Sequence, residues 1–296
     1  MSIFTVFSAF AGEYSLVIAN ETVNITGKPS SAITINGTIP GPVLNFKEGE
    51  DVTINVTNNM FEPTSIHWHG ILLPGAMDGV PGFNGFAGIM PKQTFTYKFK
   101  IRQAGTYWYH AHSGAQEQQG VYGAIVVTPK IADKIKYDRD YVVLLSDFTD
   151  ENPSVILNNL KTDSAYYNYS QPTVKDFAND INKNGFSSTW QDRKMWWQMR
   201  MSPADLSDVT GYSFLVNGKN NQKNWTGIFK KGERIKLRFV NASAMSIYDL
   251  RIPDLKMLVV AADGKNIEPV LVDELRFANA ETYDVIVEPK EEKAYT

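Results

Sequence analysis

The chain has 296 residues, of which 43% are hydrophobic and 21% are charged, and its net charge is −3. This composition is typical of a folded protein with a substantial core, and no apolar run reaches the roughly 18 residues that a membrane span needs. Basic residues do not cluster along the chain, so no nucleic-acid partner is expected. Because cysteine is absent, the sequence excludes disulfides, thiolate catalysis and cysteine-bound metals within these residues.

The first twelve residues have two interpretations. The stretch Ile3–Ala11 is apolar and ends in an Ala-x-Ala sequence, which is the form of a signal-peptide cleavage site. The basic segment that begins a signal peptide is missing, since the first lysine is Lys28. Residues 1–12 are therefore either the remnant of an export signal or a frayed N-terminus.

Alternating apolar and polar residues predict strands along most of the chain. The clearest segments are Asp51–Thr57, Thr94–Lys100 and Arg234–Val240, and each predicts a strand with one buried face. Glycine and proline mark the turns between such segments. Many short strands separated by turns are typical of a β-sandwich or a β-barrel.

All four histidines of the chain occur in two His-x-His pairs, in SIHWHGILLPGAMDG and in TYWYHAHSG. Residues i and i+2 of a strand point to the same face, so we expect His67 to project with His69, and His110 with His112. On neighbouring strands the two pairs would present four imidazoles on one surface. Imidazole binds copper, zinc, iron and nickel, and the spacing therefore predicts a metal site.

A partly helical insert interrupts the strands at about residues 151–211. Thr173–Gly185 has apolar residues on one helical face, with Thr173 suited to begin the helix and Gly185 to end it. Asp192–Met201 is a second candidate helix.

Two parts of the chain repeat each other. Ile33–Asn58 and Phe214–Asn241 share Asn-Gly, Lys-x-Gly-Glu and an alternating strand that ends in asparagine, with a constant offset of 183 in the strand. Thr94–Phe99 matches Thr282–Val287 at an offset of 188. We therefore expect two copies of one β domain, with a boundary near residues 129–139. The second copy stops mid-repeat, so we expect its last strands to be missing and the chain to be a piece of a longer one.

The histidines alone are compatible with several kinds of metal protein. A zinc hydrolase needs an open coordination position and a carboxylate base, for which Asp78 and Glu117 are candidates. A cupin needs a glutamate shortly after the first histidine pair, and Gly70–Gly75 contains none. A blue-copper site needs cysteine. A short, non-enzymatic protein that binds or stores copper stays open.

The motifs around the histidines resemble those of the multicopper oxidases. They are HWHG followed by MDGVPG, GTYWYHAHSG followed by YGAIVV, and later LRFVNAS, VVAADG and AETYDVIVEP. The segments TSIHWHGILLPGAMDGVPG, DRDYVVLLSDFTDE and RIPDLKMLVVAADG resemble the bacterial copper-resistance protein A branch of that family. The resemblance extends from Glu13 to Thr296.

The resemblance implies an all-β fold of two cupredoxin-like domains, each a Greek-key β-sandwich. Residues 13–132 are expected to form the first domain with the copper ligands. Residues 133–296 are expected to form the second, with the helical insert and without its last strands. A complete family member has a further cupredoxin domain, which contains the cysteine of the type 1 copper site and is the expected partner of this chain. The resemblance also implies export to the periplasm.

The resemblance also implies roles for the site residues. In the family a trinuclear copper cluster reduces O2 to water while a reducing substrate, such as Cu(I) or a phenol, is oxidised in a laccase-like reaction. His67 corresponds to a type 2 copper ligand, and His69, His110 and His112 correspond to type 3 copper ligands. Asp78 matches an acidic residue that helps protons reach the cluster, although motif chemistry alone also fits a plain turn residue. With half of the cluster ligands and no type 1 site, the chain alone is expected to be inactive.

Overall fold

The computed structural model describes residues 11–132, 134–169, 171–199, 209 and 211–296. Most of the candidate leader, residues 1–12, therefore lies outside the described residues. The chain divides into two compact units, of which one extends to Asp150 and resumes over Ser213–Thr296, while the other is Glu151–Tyr212. No helix in the part of the chain that the structure describes is long and apolar enough to cross a membrane.

The first sandwich consists of eight strands in two four-stranded sheets. The strands are β1 (Ala11–Val23), β2 (Ser30–Ile35), β3 (Leu44–Lys47), β4 (Asp51–Asn58), β5 (His67–His69), β6 (Thr94–Lys100), β7 (Gly105–His110) and β8 (Tyr122–Thr128). One sheet has the order β2-β1-β4-β6 and the other β3-β8-β7-β5. Their inner faces meet in a core that includes Trp68, Tyr97 and Tyr109.

The second sandwich consists of eight further strands. They are β9 (Arg139–Phe148), β10 (Ser213–Val216), β11 (Ile235–Asn241), β12 (Tyr248–Leu250), β13 (Met257–Ala262), β14 (Lys265–Val272), β15 (Leu275–Phe277) and β16 (Thr282–Val287). Six of them form a sheet in the order β10-β9-β11-β16-β13-β14, and β12 pairs with β15. The core between them includes Phe239, Met257 and Phe277. The predicted all-β class is confirmed.

The unit Glu151–Tyr212 contains the helices α1 (Pro153–Thr162), α2 (Val174–Asn184) and α3 (Phe186–Met199). The predicted start and end of α2 are confirmed, because Thr173 forms a reciprocal capping box with Asp176 and Gly185 ends the helix at a φ of 80°. The second predicted helix, Asp192–Met201, begins too late. The helix α3 begins directly after Gly185, and its first turn contains Ser-Ser-Thr, which gives no periodic pattern of apolar residues. Residues 200 and 201 lie outside the described residues.

The internal repeat is visible in the strand pairing. On β4 and β6, Val52 pairs with Phe99, and the residues 183 and 188 positions further along, Ile235 and Val287, pair in the same way on β11 and β16. In both copies a parallel neighbour flanks the first of these strands, β1 for β4 and β9 for β11. The segments that match in sequence therefore pair in the same register in both copies.

The prediction that Arg234–Val240 has one exposed polar face is wrong. β11 is buried on both faces, and Lys236 and Arg238 are each only 4% exposed. The reason is that β7 of the first sandwich covers the outer face of β11 and β16, where the Thr282 hydroxyl donates a hydrogen bond to the Thr106 carbonyl oxygen. Charged residues alternate with apolar ones both in a strand whose outer face meets solvent and in a strand whose outer face meets a layer with counter-charges. The sequence pattern therefore does not distinguish the two cases.

Candidate metal centre

Strand pairing brings the two histidine pairs together. β5 and β7 are antiparallel neighbours, with His67 opposite His110 and His69 opposite Trp108. Trp68, between the first two histidines, points into the core and is fully buried. Because side chains alternate across a strand, His67 and His69 project from the other face.

Three of the imidazoles form a compact group. One ring nitrogen from each of His67, His69 and His110 lies within 4.8 Å of the other two. Their ring centroids are separated by 5.5 to 5.6 Å. Such a group of neutral nitrogen donors is the kind of ligand set that copper or zinc takes.

His112 joins this group from beyond the strand. β7 ends at His110, so the expected strand geometry for the second pair is wrong, and His112 is more exposed than the other three. Its ring centroid still lies 5.7 Å from those of His67 and His110. The segment is held by Ser65, whose hydroxyl accepts a hydrogen bond from the His112 backbone N–H at 2.9 Å. The four imidazoles therefore share one surface, as predicted, although a loop rather than a strand carries the last.

Burial keeps the first pair uncharged. Desolvation lowers the pKa of His67, although a hydrogen bond to the Asp78 carbonyl works in the opposite direction. Burial, followed by the neighbouring His110 and His67, lowers the pKa of His69 to about 4. An imidazole must be neutral to bind a metal, so the lowered pKa values of both rings favour the form that can act as a ligand.

The ring of His67 is oriented by the turn that contains Asp78. A single 3-10 turn, Gly75–Met77, precedes Asp78, whose carbonyl oxygen lies 2.9 Å from His67 Nδ1. The Asp78 carboxylate is further away, at 3.5 Å from the same nitrogen. Because a carbonyl oxygen only accepts, Nδ1 carries the proton and the lone pair is left on Nε2. Asp78 is thus both a turn residue and a neighbour of the site.

The two ring nitrogens of His110 have the surroundings expected of a metal ligand. Its Nδ1 lies 3.0 Å from the Ala111 carbonyl oxygen and 2.6 Å from Glu117 Oε2. Its Nε2 is buried and has no hydrogen-bond partner among the described residues. A buried nitrogen without a partner is unfavourable in a core histidine, whereas a metal ligand requires a free lone pair.

Sequence reasoning missed two features that support the site. Trp108 stacks on the His110 ring at 4.1 Å with an interplanar angle of 13°. Gln116 is buried; its Oε1 accepts from the Thr64 hydroxyl at 2.7 Å and its Nε2 donates to the Pro63 carbonyl at 2.9 Å. The sequence signal available for Gln116 was only its place in a polar turn, and polar turns are usually solvated.

Gly79→Ala is expected to weaken metal retention and to lower the melting temperature. Gly79 has a φ of +79°, and a Cβ there would overlap the Ile66 carbonyl oxygen, so the turn would move and take Asp78 away from His67. Gly82→Ala is the matched control, because Gly82 has a φ of +86° with nothing within 4 Å of a Cβ, so it carries only the backbone strain of about 1–2 kcal/mol. Thermal melts and copper content of both variants check this, and equal behaviour of the two would contradict it.

Comparison with known proteins agrees with this geometry. Residues 17–131 and residues 139–296 each match a family model described as multicopper oxidase. The chain therefore belongs to the multicopper oxidase family. Within the family it lies in the copper resistance protein A branch: it is 57% identical over 286 residues to copper resistance protein A of Escherichia coli, covering 96% of this chain and 47% of that protein.

Solved structures of the family have the same fold. The blue copper oxidase from Nitrosomonas europaea matches 94% of this chain and 76% of its own with a TM-score of 0.70 at 27% identity. The laccase from Botrytis aclada matches 96% of this chain and 48% of its own with a TM-score of 0.69 at 29% identity. The two sandwiches are cupredoxin-like, as predicted. The chain spans about half the length of the curated relatives that it matches.

Proposed function

We propose that this chain supplies half of the protein ligands of a trinuclear copper cluster. In this proposal His67 binds the type 2 copper, and His69, His110 and His112 bind the type 3 coppers. The observation that carries it is the group of imidazole nitrogens within 4.8 Å of one another. Bound copper would supply the one-electron redox chemistry, and the chain's own part is to present neutral, oriented imidazoles.

The whole protein is proposed to be a laccase-like oxidase that couples oxidation of a reducing substrate, Cu(I) or a phenol, to reduction of O2 to water. The relatives named as oxidases, laccases and copper resistance proteins support this. The remaining cluster ligands and the type 1 site need cysteine and further histidines, which these 296 residues do not contain. A further cupredoxin domain is therefore the proposed partner. Export to the periplasm rests on the family resemblance.

The two alternatives from the sequence are less favoured. A zinc hydrolase needs a carboxylate free to act as a base at an open metal position. Both carboxylates that the sequence offered as a base instead face ring nitrogens: Glu117 contacts His110 Nδ1, and Asp78 lies beside His67 Nδ1. A non-enzymatic copper protein needs the same histidines, but membership of an oxidase family gives it no support.

The decisive test loads the protein, as its gene encodes it, with Cu(II) and measures bound copper and O2 uptake with a phenol or with Cu(I). Copper-dependent O2 uptake supports the proposal. The 296-residue chain alone should bind copper without an intense blue absorption band, because it has no thiolate. Preferential zinc binding with hydrolytic turnover would overturn the oxidase proposal.

Asp78→Asn is expected to retain copper but to slow O2 reduction by roughly a hundredfold, the scale of a lost proton-transfer group. Asparagine keeps the backbone carbonyl that orients His67 and loses only the carboxylate. Asp51→Asn is the control, because Asp51 forms an exposed ion pair with Lys100 on β4 and β6, in the sheet that does not carry the histidines. Copper content and O2 uptake of both variants are compared, and unchanged uptake in Asp78→Asn would exclude Asp78 from proton transfer.

A further inference from the structure

The loop that follows the second histidine pair returns to the metal centre through Glu117. Glu117 Oε2 lies 2.6 Å from His110 Nδ1, and the two side chains are 26% and 8% exposed. No other carboxylate among the described residues contacts His110 as an ion pair. This contact is separate from the Asp78 turn, which faces His67.

The surroundings of His110 define where its proton lies. Both neighbours of Nδ1, the Glu117 carboxylate and the Ala111 carbonyl oxygen at 3.0 Å, can only accept. Nδ1 is therefore the donor. A proton on Nε2 would be buried without an acceptor, since Nε2 has no partner among the described residues. A proton on Nδ1 and a lone pair on Nε2 is therefore the tautomer that these contacts favour.

The loop that carries Glu117 is fixed on both sides. Buried Gln116 is anchored through its side chain to the segment Pro63–Thr64. The backbone closes around Glu117 with hydrogen bonds from Gly120 N–H to the Glu117 carbonyl at 3.0 Å and from Val121 N–H to the Gln116 carbonyl at 3.1 Å. A carboxylate on such a loop meets the ring without first ordering the chain, so little conformational entropy opposes the contact.

We propose that Glu117 is a positioning residue, which holds His110 as the Nδ1–H tautomer and strengthens its Nε2 as a copper ligand. His67 offers an internal comparison, because the nearest acceptor at its Nδ1 is a carbonyl oxygen at 2.9 Å and the Asp78 carboxylate lies further away at 3.5 Å, whereas the carboxylate at His110 lies at 2.6 Å. An anionic acceptor makes the opposite nitrogen more basic, and loss of such partners typically weakens metal binding by about 10- to 100-fold. This inference rests on the proposed function only for the identity of the metal.

The test uses the full 296-residue chain and two readouts. In the metal-free protein, ¹⁵N NMR of the histidine rings reports the tautomer, and four histidines give few signals to assign. In the copper-loaded protein, competition with a chelator gives the Cu(II) dissociation constant. The variants are Glu117→Ala and the isosteric Glu117→Gln, with Glu62→Ala as a matched control because Glu62 is exposed in the same sandwich.

The expected result is that Glu117→Ala shifts His110 away from a pure Nδ1–H tautomer and raises the Cu(II) dissociation constant about 10- to 100-fold. Glu117→Gln keeps an acceptor oxygen, so it should retain the Nδ1–H tautomer and bind Cu(II) with an affinity between those of the wild type and Glu117→Ala. If Glu117→Ala does not fold, the Cu(II) affinity of Glu117→Gln still tests the inference. Glu62→Ala should match the wild type. Wild-type tautomer and affinity in both Glu117 variants, even with a lower melting temperature, would overturn the inference. If the wild-type chain binds no copper without its proposed partner domain, the NMR readout still decides the role of Glu117, and O2 uptake by the whole protein decides the proposed function separately.

Discussion

His110→Ala is expected to remove the stabilisation that copper gives to the folded chain. A ligand that binds only the native state at 100 times its dissociation constant adds about 2.7 kcal/mol to the free energy of unfolding. In the wild type, copper should therefore raise the melting temperature by several degrees. His110 supplies one of the three grouped imidazoles, so the variant should lose this increase.

In the metal-free state, the same substitution should change stability little. His110 packs against Trp108 and contacts the Glu117 carboxylate and the Ala111 carbonyl through Nδ1, and losing these contacts destabilises the fold. At the same time the substitution removes the buried Nε2 that has no hydrogen-bond partner among the described residues, and removing such an atom is favourable. Replacing an ordinary core histidine would only lower the stability, so the stability of the metal-free variant distinguishes a core residue from a metal ligand.

Trp68→Phe is the matched control for this prediction. Trp68 lies between two of the grouped histidines, but its ring is in the core on the opposite face. The variant should melt at a lower temperature with and without copper and should keep the copper-dependent increase. Differential scanning calorimetry with and without Cu(II) measures both quantities. A copper-dependent increase that survives in His110→Ala would show that the ion is bound elsewhere.

The strand-borne part of the site could be predicted from the sequence, because its geometry depends on local rules. A period of two places His67 and His69 on one face, and the repeat predicted two copies of one β domain, in which β4 with β6 and β11 with β16 pair in the same way. These features require only alternation and register, which the sequence carries directly.

The loop-borne part could not be predicted, since it depends on where the chain turns after a strand ends. Glu117 was considered only as a base, and its contact with His110 follows from a loop path that non-local hydrogen bonds of Gln116 maintain. Similarly, His112 reaches the group from a loop. The burial of β11 also depends on a non-local partner. It could not be predicted, because an outer face in solvent and an outer face against a charged layer show the same alternation of residues.

Asp284→Asn is expected to cost about 3–5 kcal/mol of folding free energy, the scale for breaking a buried ion pair. Asp284 is buried and accepts from three groups: the Lys236 ammonium at 2.9 Å, the Arg238 guanidinium at 3.2 Å and the Thr106 hydroxyl at 2.5 Å. Asparagine has the same shape, but it removes the buried negative charge that faces both Lys236 and Arg238.

The pKa of Arg238 also shows that the buried cations depend on their carboxylate partners. Burial alone would lower the pKa of Arg238, but the carboxylates of Asp140 and Asp284 raise it above its usual range. The equivalent positions in the first copy, Asn55 and Thr96, are uncharged and joined by a hydrogen bond of 2.8 Å on a partly exposed face. Charged residues thus occur in the copy whose outer face is covered by another layer, where each cation needs a fixed partner.

Asp249→Asn is the matched control for Asp284→Asn, since Asp249 forms its ion pair with Arg276 on the exposed surface of the same sandwich. Exposed pairs contribute about 0–1 kcal/mol, so urea unfolding of both variants should separate them clearly, and equal losses would contradict the role assigned to the buried network.

The network holds the Thr106 end of β7, whereas the His110 end is held by pairing with β5 and β8. We therefore expect Asp284→Asn to lower stability and yet to keep the copper-dependent rise in melting temperature, because the substitution loosens the contact between the two sandwiches and leaves the strands that carry the imidazoles paired.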